Sequence, residues 1–493
     1  MMSSLIIRAI GKGAQLLRVF GKCAWPLLLV LTLVCGAARA HEVKKDSFPK
    51  LHREVDRLLV SEGLAAEHVA IMLFSTRERR FLYKLRVDDP MIAASNAKLA
   101  TTFAALRVLG ANFRWKTSVY RLTEQDGPAG VPRQGLLVKG GGDPTLTARA
   151  MERLVLRLKA KGLRRVLGTL YYDDSLFDDV MYPAAWGSAI GGQAWFAPVS
   201  PYIVEKNATD FFVNVSGNGG GIEVIPQKPA SFLGVDSHLK TAPVKRAVFR
   251  VRQAWNGDRG VFSFEGKLPT KPHTYTVSTA VTDPVEYFFH HLRASLRKLG
   301  IKGKMPLRPL PPGGLPSKLL HTHYSPPLRD LISDVNKESN NLAAEVILRA
   351  LALTKKPRRV SGEDGLAVLN AALLEDFAKF DGQIHLADGS GLSRDTRLTA
   401  SFLVHLLNRV LSHHEFRSEF VSSLSLVGWD GTMRYRNYPE PVRGRIRVKS
   451  GTLSGVQNLS GYMNLSKDVV VFSFLINDSE KNFLRLQKAQ DRA

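Results

Sequence analysis

Residues 93–110, AASNAKLATTFAALRVLG, place Lys98 one helical turn after Ser95, at the head of a segment that is otherwise mostly apolar and small. Leu99, Thr102, Phe103, Leu106 and Leu109 recur every three to four residues and Gly110 follows, so the spacing predicts a helix that opens near Ser95 and stops at Gly110. Helix-terminal N–H groups favour developing negative charge, and Lys98 points the same way as Ser95 from the next turn. A lysine that is partly buried beside a serine hydroxyl and close to another cation can be neutral enough to accept the serine proton. The spacing alone is not specific. Ser-x-x-Lys occurs four times, at Ser47, Ser95, Ser237 and Ser295, and an isolated copy reads as an ordinary solvated lysine.

The first 40 residues carry Arg8, Lys12, Arg18, Lys22 and Arg39 with no acid, then the short apolar run AWPLLLVLTLVCGA, then Ala38-Arg39-Ala40. Basic start, apolar middle and small-x-small end read as a cleaved secretory signal, with a retained anchor as the alternative. Residues 1–40 are therefore expected to be removed and the chain exported to the periplasm. Both cysteines, Cys23 and Cys35, lie in this segment, so the mature chain would have neither thiol nor disulfide, and its stability must come from the core. The formal charge of +25 falls to +20 without the five signal cations. For an exported protein the anionic partners compatible with this excess are cell-wall polymer and, peripherally, a phospholipid surface, and nucleic acid is excluded by compartment. A solvated basic surface without a specific partner accounts for the charge equally well.

Along the chain, KLHREVDRLLVSEGL has helical spacing, and HVAIMLFSTRERRFLYKLRVDD reads as two strands joined at the polar turn Ser75 to Arg79. Residues 119–276 differ, with short β-like runs between Gly and Pro turns, and read as a separate strand-rich region. Helical patterns return in PVEYFFHHLRASLRKLG, LRDLISDVNKESNNLAAEVILRALAL and TASFLVHLLNRVLSHH, and three strand candidates, GRIRVKSGTLSG, NLSGYMNL and DVVVFSFLIND, close the chain. This predicts an α/β catalytic domain made of residues 41–118 and 277–493, interrupted by a β-rich insertion at 119–276.

Two later stretches give Ser95 and Lys98 a context. KESNNLAAE supplies Ser339 and Asn341 at the junction of two helical patterns, and RVKSGTLSG places Lys449, Ser450, Gly451 and Thr452 on a strand. S-x-x-K, S-x-N and K-[ST]-G, in that order on helix, inter-helix loop and strand, form the signature of active-serine penicillin-recognising enzymes.

With these motifs the chain resembles the low-molecular-mass class C penicillin-binding proteins, the D-alanyl-D-alanine carboxypeptidase/endopeptidase family of penicillin-binding protein 4 type. GGGDPTL, DDSLFDD, ADGSGLSR (387–394), WDGTMRYR (429–436) and KSGTLSGVQNLSGY are similar to stretches of that family, and the 244-residue separation of Ser95 from Ser339 matches its large insertion. The resemblance implies a serine β-lactamase/transpeptidase-like fold, an antiparallel sheet flanked by helices. It also implies a D-Ala-D-Ala peptidase acting on peptidoglycan stem peptides, with β-lactams as covalent inhibitors and no cofactor or metal. Ser95 would be the nucleophile, Lys98 the general base, Ser339 the proton relay and Asn341 the group holding Lys98 and the substrate amide. Lys449 and the Ser450 hydroxyl would bind the substrate carboxylate, Gly451 would leave room for backbone approach, and the N–H groups of Ser95 and Thr452 would form the oxyanion hole. Two positions depart from the pattern: Asn340 stands where Asp is usual, and Ser450 where Thr is usual.

Rival readings are a serine β-lactamase and a non-catalytic cell-wall-binding protein. Against the first, Leu366 in GLAVLNAALL occupies the place of the glutamate that class A β-lactamases use for deacylation. His290-His291, His413-His414 and His321-x-His323 lack a third nearby ligand for zinc. DDSLFDD lacks EF-hand spacing, and Tyr435-x-Asn437 lies too close to Lys449 to act as an independent motif.

Overall fold

The computed structural model describes residues 48–478 apart from 123–134, 167, 190–191, 217–220, 229, 257–258, 314–316, 437, 439 and 441, together with 486–487 and 490–491. The signal-like segment and Ser47 therefore lie outside the described residues, as does Asn437. The helices are α1 (Pro49–Ser61), α2 (Ala97–Val108), α3 (Ala148–Ala160), α4 (Pro284–Lys298), α5 (Leu328–Lys337), α6 (Asn341–Ala352), α7 (Gly362–Phe377), α8 (Ala400–Ser412) and α9 (Arg417–Ser423). Among the described residues no helix is long and apolar enough to cross a membrane.

The chain divides into two compact units. One draws on the described parts of Met1–Ala93, Leu398–Leu411 and Leu424–Ala493, and the other on Ala94–Arg397 and Ser412–Ser423. The first unit is built on a six-stranded, wholly antiparallel sheet in the order Ser425–Leu426, Ile446–Leu453, Val456–Asn464, Val469–Asn477, Val69–Ser75, Arg80–Leu85. The N-terminal hairpin is thus zipped to the C-terminal one, with Val69 opposite Ile476 and Ser75 opposite Val470. Leu51, Val55 and Leu59 form the buried stripe of α1 and share a core with Ile71, Leu73, Phe472 and Phe474. Tyr462 on the sheet donates its hydroxyl to the Leu407 carbonyl of α8 at 2.8 Å.

In the second unit α2 is enclosed: every residue from Ala97 to Leu106 is buried, under α5, α6 and α7. The expected one-sided stripe is therefore absent, because Ala and Thr on the remaining faces let neighbouring helices approach just as closely. The segment 119–276 lies wholly in this unit. A five-stranded mixed sheet runs Leu307–Pro309, Leu170–Tyr172, Leu136–Lys139, Lys116–Leu122, Ser317–Tyr324, and two three-stranded sheets follow from residues 208–280. Helix α3, N-capped by the Thr147 hydroxyl at 3.2 Å from the Ala150 amide, buries Met151, Leu154, Val155 and Leu158 in the core these elements share. His290 and His291 pack on Phe232, and His413 stacks on Phe416, so these histidines serve as core rings.

Tyr202 joins several of these layers. Its buried ring lies on Phe288 and Phe289 of α4, and its hydroxyl donates to the Val138 carbonyl at 2.8 Å while accepting from the Asp173 amide at 2.8 Å. Tyr202→Phe keeps the ring and strands both backbone groups, so it should lower unfolding free energy by about 1–3 kcal/mol in urea titrations. An unchanged midpoint would show that these groups find other partners.

Candidate active site

Ser95 lies in a short 3-10 turn, Ala94–Asn96, that leads directly into α2, and Lys98 occupies the first turn of the helix. Ala94 has φ 46°, a left-handed conformation that L-residues with a Cβ adopt at a cost of about 1–3 kcal/mol. Gly391 accommodates it: at φ +72° it lies so close that an added Cβ would fall 1.9 Å from the Ala94 carbonyl oxygen. The strained turn and the loop behind it thus fit only as a pair.

Lys98 is fully buried. Its Nζ lies 2.6 Å from the Ser390 carbonyl, 2.7 Å from Asn341 Oδ1 and 3.0 Å from Ser95 Oγ. Burial pushes its pKa down to about 7, against the opposing pull of the Asp388 and Glu345 carboxylates. In the neutral amine two N–H groups satisfy the two carbonyl oxygens. The remaining lone pair then faces Ser95 Oγ, whose hydroxyl becomes the donor. A neutral amine so placed can accept the serine proton.

The loop that presents the Ser390 carbonyl is wound around Asp388. This buried carboxylate accepts from the amides of Gly391, Leu392 and Ser393, from the hydroxyls of Ser390 and Thr396, and from Trp186 Nε1, all between 2.8 and 3.0 Å. Glu345 of α6, also fully buried, accepts from the Ser390 amide at 2.9 Å, so this one residue meets Glu345 through its N–H and Lys98 through its carbonyl oxygen. Burial, reinforced by Asp388, raises the Glu345 pKa to about 7. Arg349, one turn further along α6 and 1% exposed, lies 3.9 Å from Glu345 and 3.9 Å from Asp178.

The S-N-N loop joins α5 to α6. Ser339 holds φ 58°, and Asn341 begins α6, its amide fixed by Lys98 on one side and by the Trp195 carbonyl, 3.0 Å from Nδ2, on the other. The middle position has a structural reason to be an amide. Asn340 Oδ1 caps the Ala343 amide at 3.1 Å, and Nδ2 donates to Asp334 at 2.5 Å. An aspartate would cap equally well but would set two carboxylates face to face.

Lys98 thus touches both Ser95 and Asn341, with Ser339 two residues before Asn341 in the same unit. Lys449, Ser450, Gly451 and Thr452 belong to the sheet unit, on strand Ile446–Leu453. There Lys449 is buried with Nζ 2.7 Å from the Ser450 carbonyl, Gly451 pairs with Asn458, and the Thr452 hydroxyl is 3.0 Å from the Gln457 side chain. Ser450 Oγ is 2.6 Å from the Thr432 hydroxyl, which gives the WDGTMRYR stretch a contact with the K-S-G strand. Sequence reasoning did not reach Asp388, Ser390, Glu345 or Arg349 as individual residues. Two signals were available: an Asp followed by Gly and Ser in ADGSGLSR, which marks a side-chain-organised turn, and a Glu–Arg pair at i, i+4 in a helix that is otherwise almost wholly apolar.

The family model of the D-Ala-D-Ala carboxypeptidase 3 (S13) family matches residues 51–492. Relatives include a D-alanyl-D-alanine carboxypeptidase of Actinomadura sp. (strain R39), 27% identical over 91% of this chain and 85% of its own length. Another is the D-alanyl-D-alanine carboxypeptidase DacB of Haemophilus influenzae, 28% identical over 78% of this chain and 80% of its own. The crystal structure of penicillin binding protein 4 from Haemophilus influenzae superposes with a TM-score of 0.75 at 24% identity, covering 89% of this chain and 98% of that one. The chain belongs to the S13 family and is a serine-type D-Ala-D-Ala carboxypeptidase of the penicillin-binding protein 4 type, in an α/β fold with an additional β-rich region.

Acylation should rise with pH through about 7 as Lys98 loses its proton. Glu345→Gln keeps an acceptor for the Ser390 amide but deletes a negative charge that holds the Lys98 pKa up. The acid limb of the acylation profile should therefore move to lower pH, and an upward move would contradict the electrostatic role. Asn340→Asp should lower stability by about 1–2 kcal/mol at neutral pH, with the loss shrinking as the pH falls and the facing carboxylates protonate. A pH-independent difference in urea midpoints would refute the repulsion.

Proposed function

We propose that this chain is an exported serine DD-peptidase that cleaves peptidoglycan stem peptides through an acyl-enzyme on Ser95, that it hydrolyses cross-links as well as terminal D-alanine, and that penicillin acylates the same hydroxyl. The observation that carries the reading is the Lys98 amine, held by two carbonyl oxygens so that its lone pair meets Ser95 Oγ 3.0 Å away. In this mechanism Ser95 Oγ attacks the carbonyl carbon of the penultimate D-alanine while its proton passes to Lys98. Positive charge on Lys98 is then balanced by Glu345 and Asp388, the two carboxylates that act on it electrostatically. Ser339 relays a proton to the departing amine, the C–N bond breaks, and water hydrolyses the ester.

Lys449 and the Ser450 hydroxyl take the recognition of the free carboxylate, Gly451 leaves space for substrate backbone, and the amides of Ser95 and Thr452 take the developing oxyanion. Residues 119–276 are the insertion that the family resemblance implies within a catalytic domain formed by 41–118 and 277–493. Export by a cleaved signal would place the enzyme in the periplasm with its polymeric substrate. A β-lactamase reading is disfavoured by Leu366, an apolar half-buried side chain on α7 in the place of the deacylating glutamate.

Intact-mass measurement after a short penicillin pulse tests the reading. Wild-type protein should gain one penicilloyl group at Ser95 that persists for about minutes or longer, and should release D-alanine steadily from pentapeptide. Ser95→Ala should fold and remain unlabelled. Labelling that persists on the variant, or rapid return to unmodified mass with catalytic loss of penicillin, would overturn the assignment.

A further inference from the structure

A cleft of about 1060 Å³ lies within the second unit and includes the S-N-N loop in its lining, from Ser339 to Asn341, beside Trp195. It extends from there along α3, α4 and the strands of the insertion. Sites that enclose a molecule of several hundred daltons are about 300–1,000 Å³ in volume. A single departing alanine would occupy a small fraction of this space, and Ser339 is the residue assigned to the departing amine. The room therefore adjoins the residue assigned to the departing amine.

The lining is ionic, of both signs. Lys206 pairs with Asp334 at 2.6 Å, Lys228 with Glu205 at 2.5 Å and Lys298 with Glu152 at 2.7 Å. In each pair the lysine remains 51–71% exposed, available to a ligand carboxylate, while its acidic partner is more buried. Trp195, 54% exposed, provides an apolar surface in the lining. Alternating ammonium and carboxylate groups fit a peptide that itself carries free carboxylates and amines better than they fit an uncharged glycan.

One wall is also held in an uncommon backbone. Glu205, Lys206 and Asn207 have φ of 48°, 59° and 49°, three consecutive non-glycine residues in the left-handed region. Asn207 locks the turn by donating to the Pro198 carbonyl at 3.1 Å and accepting from the Val204 amide at 3.3 Å, and the Glu205 carboxylate accepts from the Ala148 amide at 2.7 Å. Strain of this kind persists where surrounding structure over-determines it and is concentrated at ligand clamps. Here it presents Lys206 next to the loop that carries Ser339.

We propose that this cleft is the subsite for the second stem peptide of a cross-linked substrate, the stem whose side-chain amine is released when Ser95 is acylated. The inference rests on the Ser95 acyl-enzyme reading. The amide between the donor D-alanine and that amine breaks, the Ser95 ester forms, the amine takes the proton relayed by Ser339, and water later frees the donor stem. A cross-linked dimer fills the cleft, whereas a monomeric pentapeptide leaves it unused.

Two variants that lie away from the chemistry test this. Ser231→Trp places an indole in the cleft from an exposed position, and Lys298→Glu reverses one of its charges. Both should lower kcat/KM for a purified cross-linked tetrapeptide dimer by about tenfold or more, while D-alanine release from monomeric pentapeptide and penicillin labelling of Ser95 stay within about twofold of wild type. Dimer cleavage at wild-type rate in both variants, an equal loss on both substrates, or a wild-type enzyme that does not cleave the dimer would overturn the proposal. Penicillin labelling of the wild type reports separately on the reading beneath it: its absence would remove the acyl-enzyme whatever the cleft binds.

Discussion

The arrangement around Ser95 depends on keeping the Lys98 amine out of water. Lys98 has no solvent contact, and the protein does not pair it directly with a carboxylate. A close ion pair would have stabilised the charged form and raised the pKa. Carbonyl oxygens are used instead, strong enough to satisfy N–H groups and too weakly charged to hold the proton against desolvation. The acids that do act on Lys98 are kept behind the Ser390 backbone: Glu345 meets the Ser390 N–H and Asp388 the Gly391 N–H, while Lys98 meets the Ser390 carbonyl oxygen.

The surrounding architecture can be understood as support for that arrangement. Asp388 organises the loop that aims the Ser390 carbonyl, and its six hydrogen bonds leave the carboxylate fully engaged. Gly391, in the same loop, makes room for the strained carbonyl of Ala94, so the residue before Ser95 and the loop behind Lys98 constrain one another. Ser339, two residues before the Lys98 partner Asn341, also holds a left-handed conformation.

Much of this was legible in the sequence. The periodicities of residues 49–61, 69–85, 284–298 and 446–477 indicated the elements found there, because each of these elements buries one face or a continuous run. Ser95, Lys98, Ser339, Asn341 and the Lys449–Thr452 strand stood out through motif order. Helix α3 was hidden inside a stretch whose Gly and Pro turns read as strand-rich, and α7 was passed over because its segment entered the reading only as a place where a glutamate was missing. Asp388 organises its turn through neighbours two to eight residues away, a local pattern that ADGSGLSR displays, but its bond to Trp186 and the Glu345 contact with Ser390 join residues 202 and 45 positions apart, and a charged residue in an apolar helix reads the same whether its tip meets water or a peptide group.

The sheet of the first unit has a consequence for how the protein comes into being. Strand Val69–Ser75 lies between a neighbour only a few residues away and Val469–Asn477, near the other end of the chain. As the polypeptide is synthesised, its early hairpin emerges with an open edge and an apolar face, and the strand that covers that edge is made some 400 residues later. At ordinary elongation rates the interval is on the order of tens of seconds, far longer than a hairpin needs to form. The native sheet therefore cannot be completed until the C-terminal part of the chain has been made, wherever the chain folds.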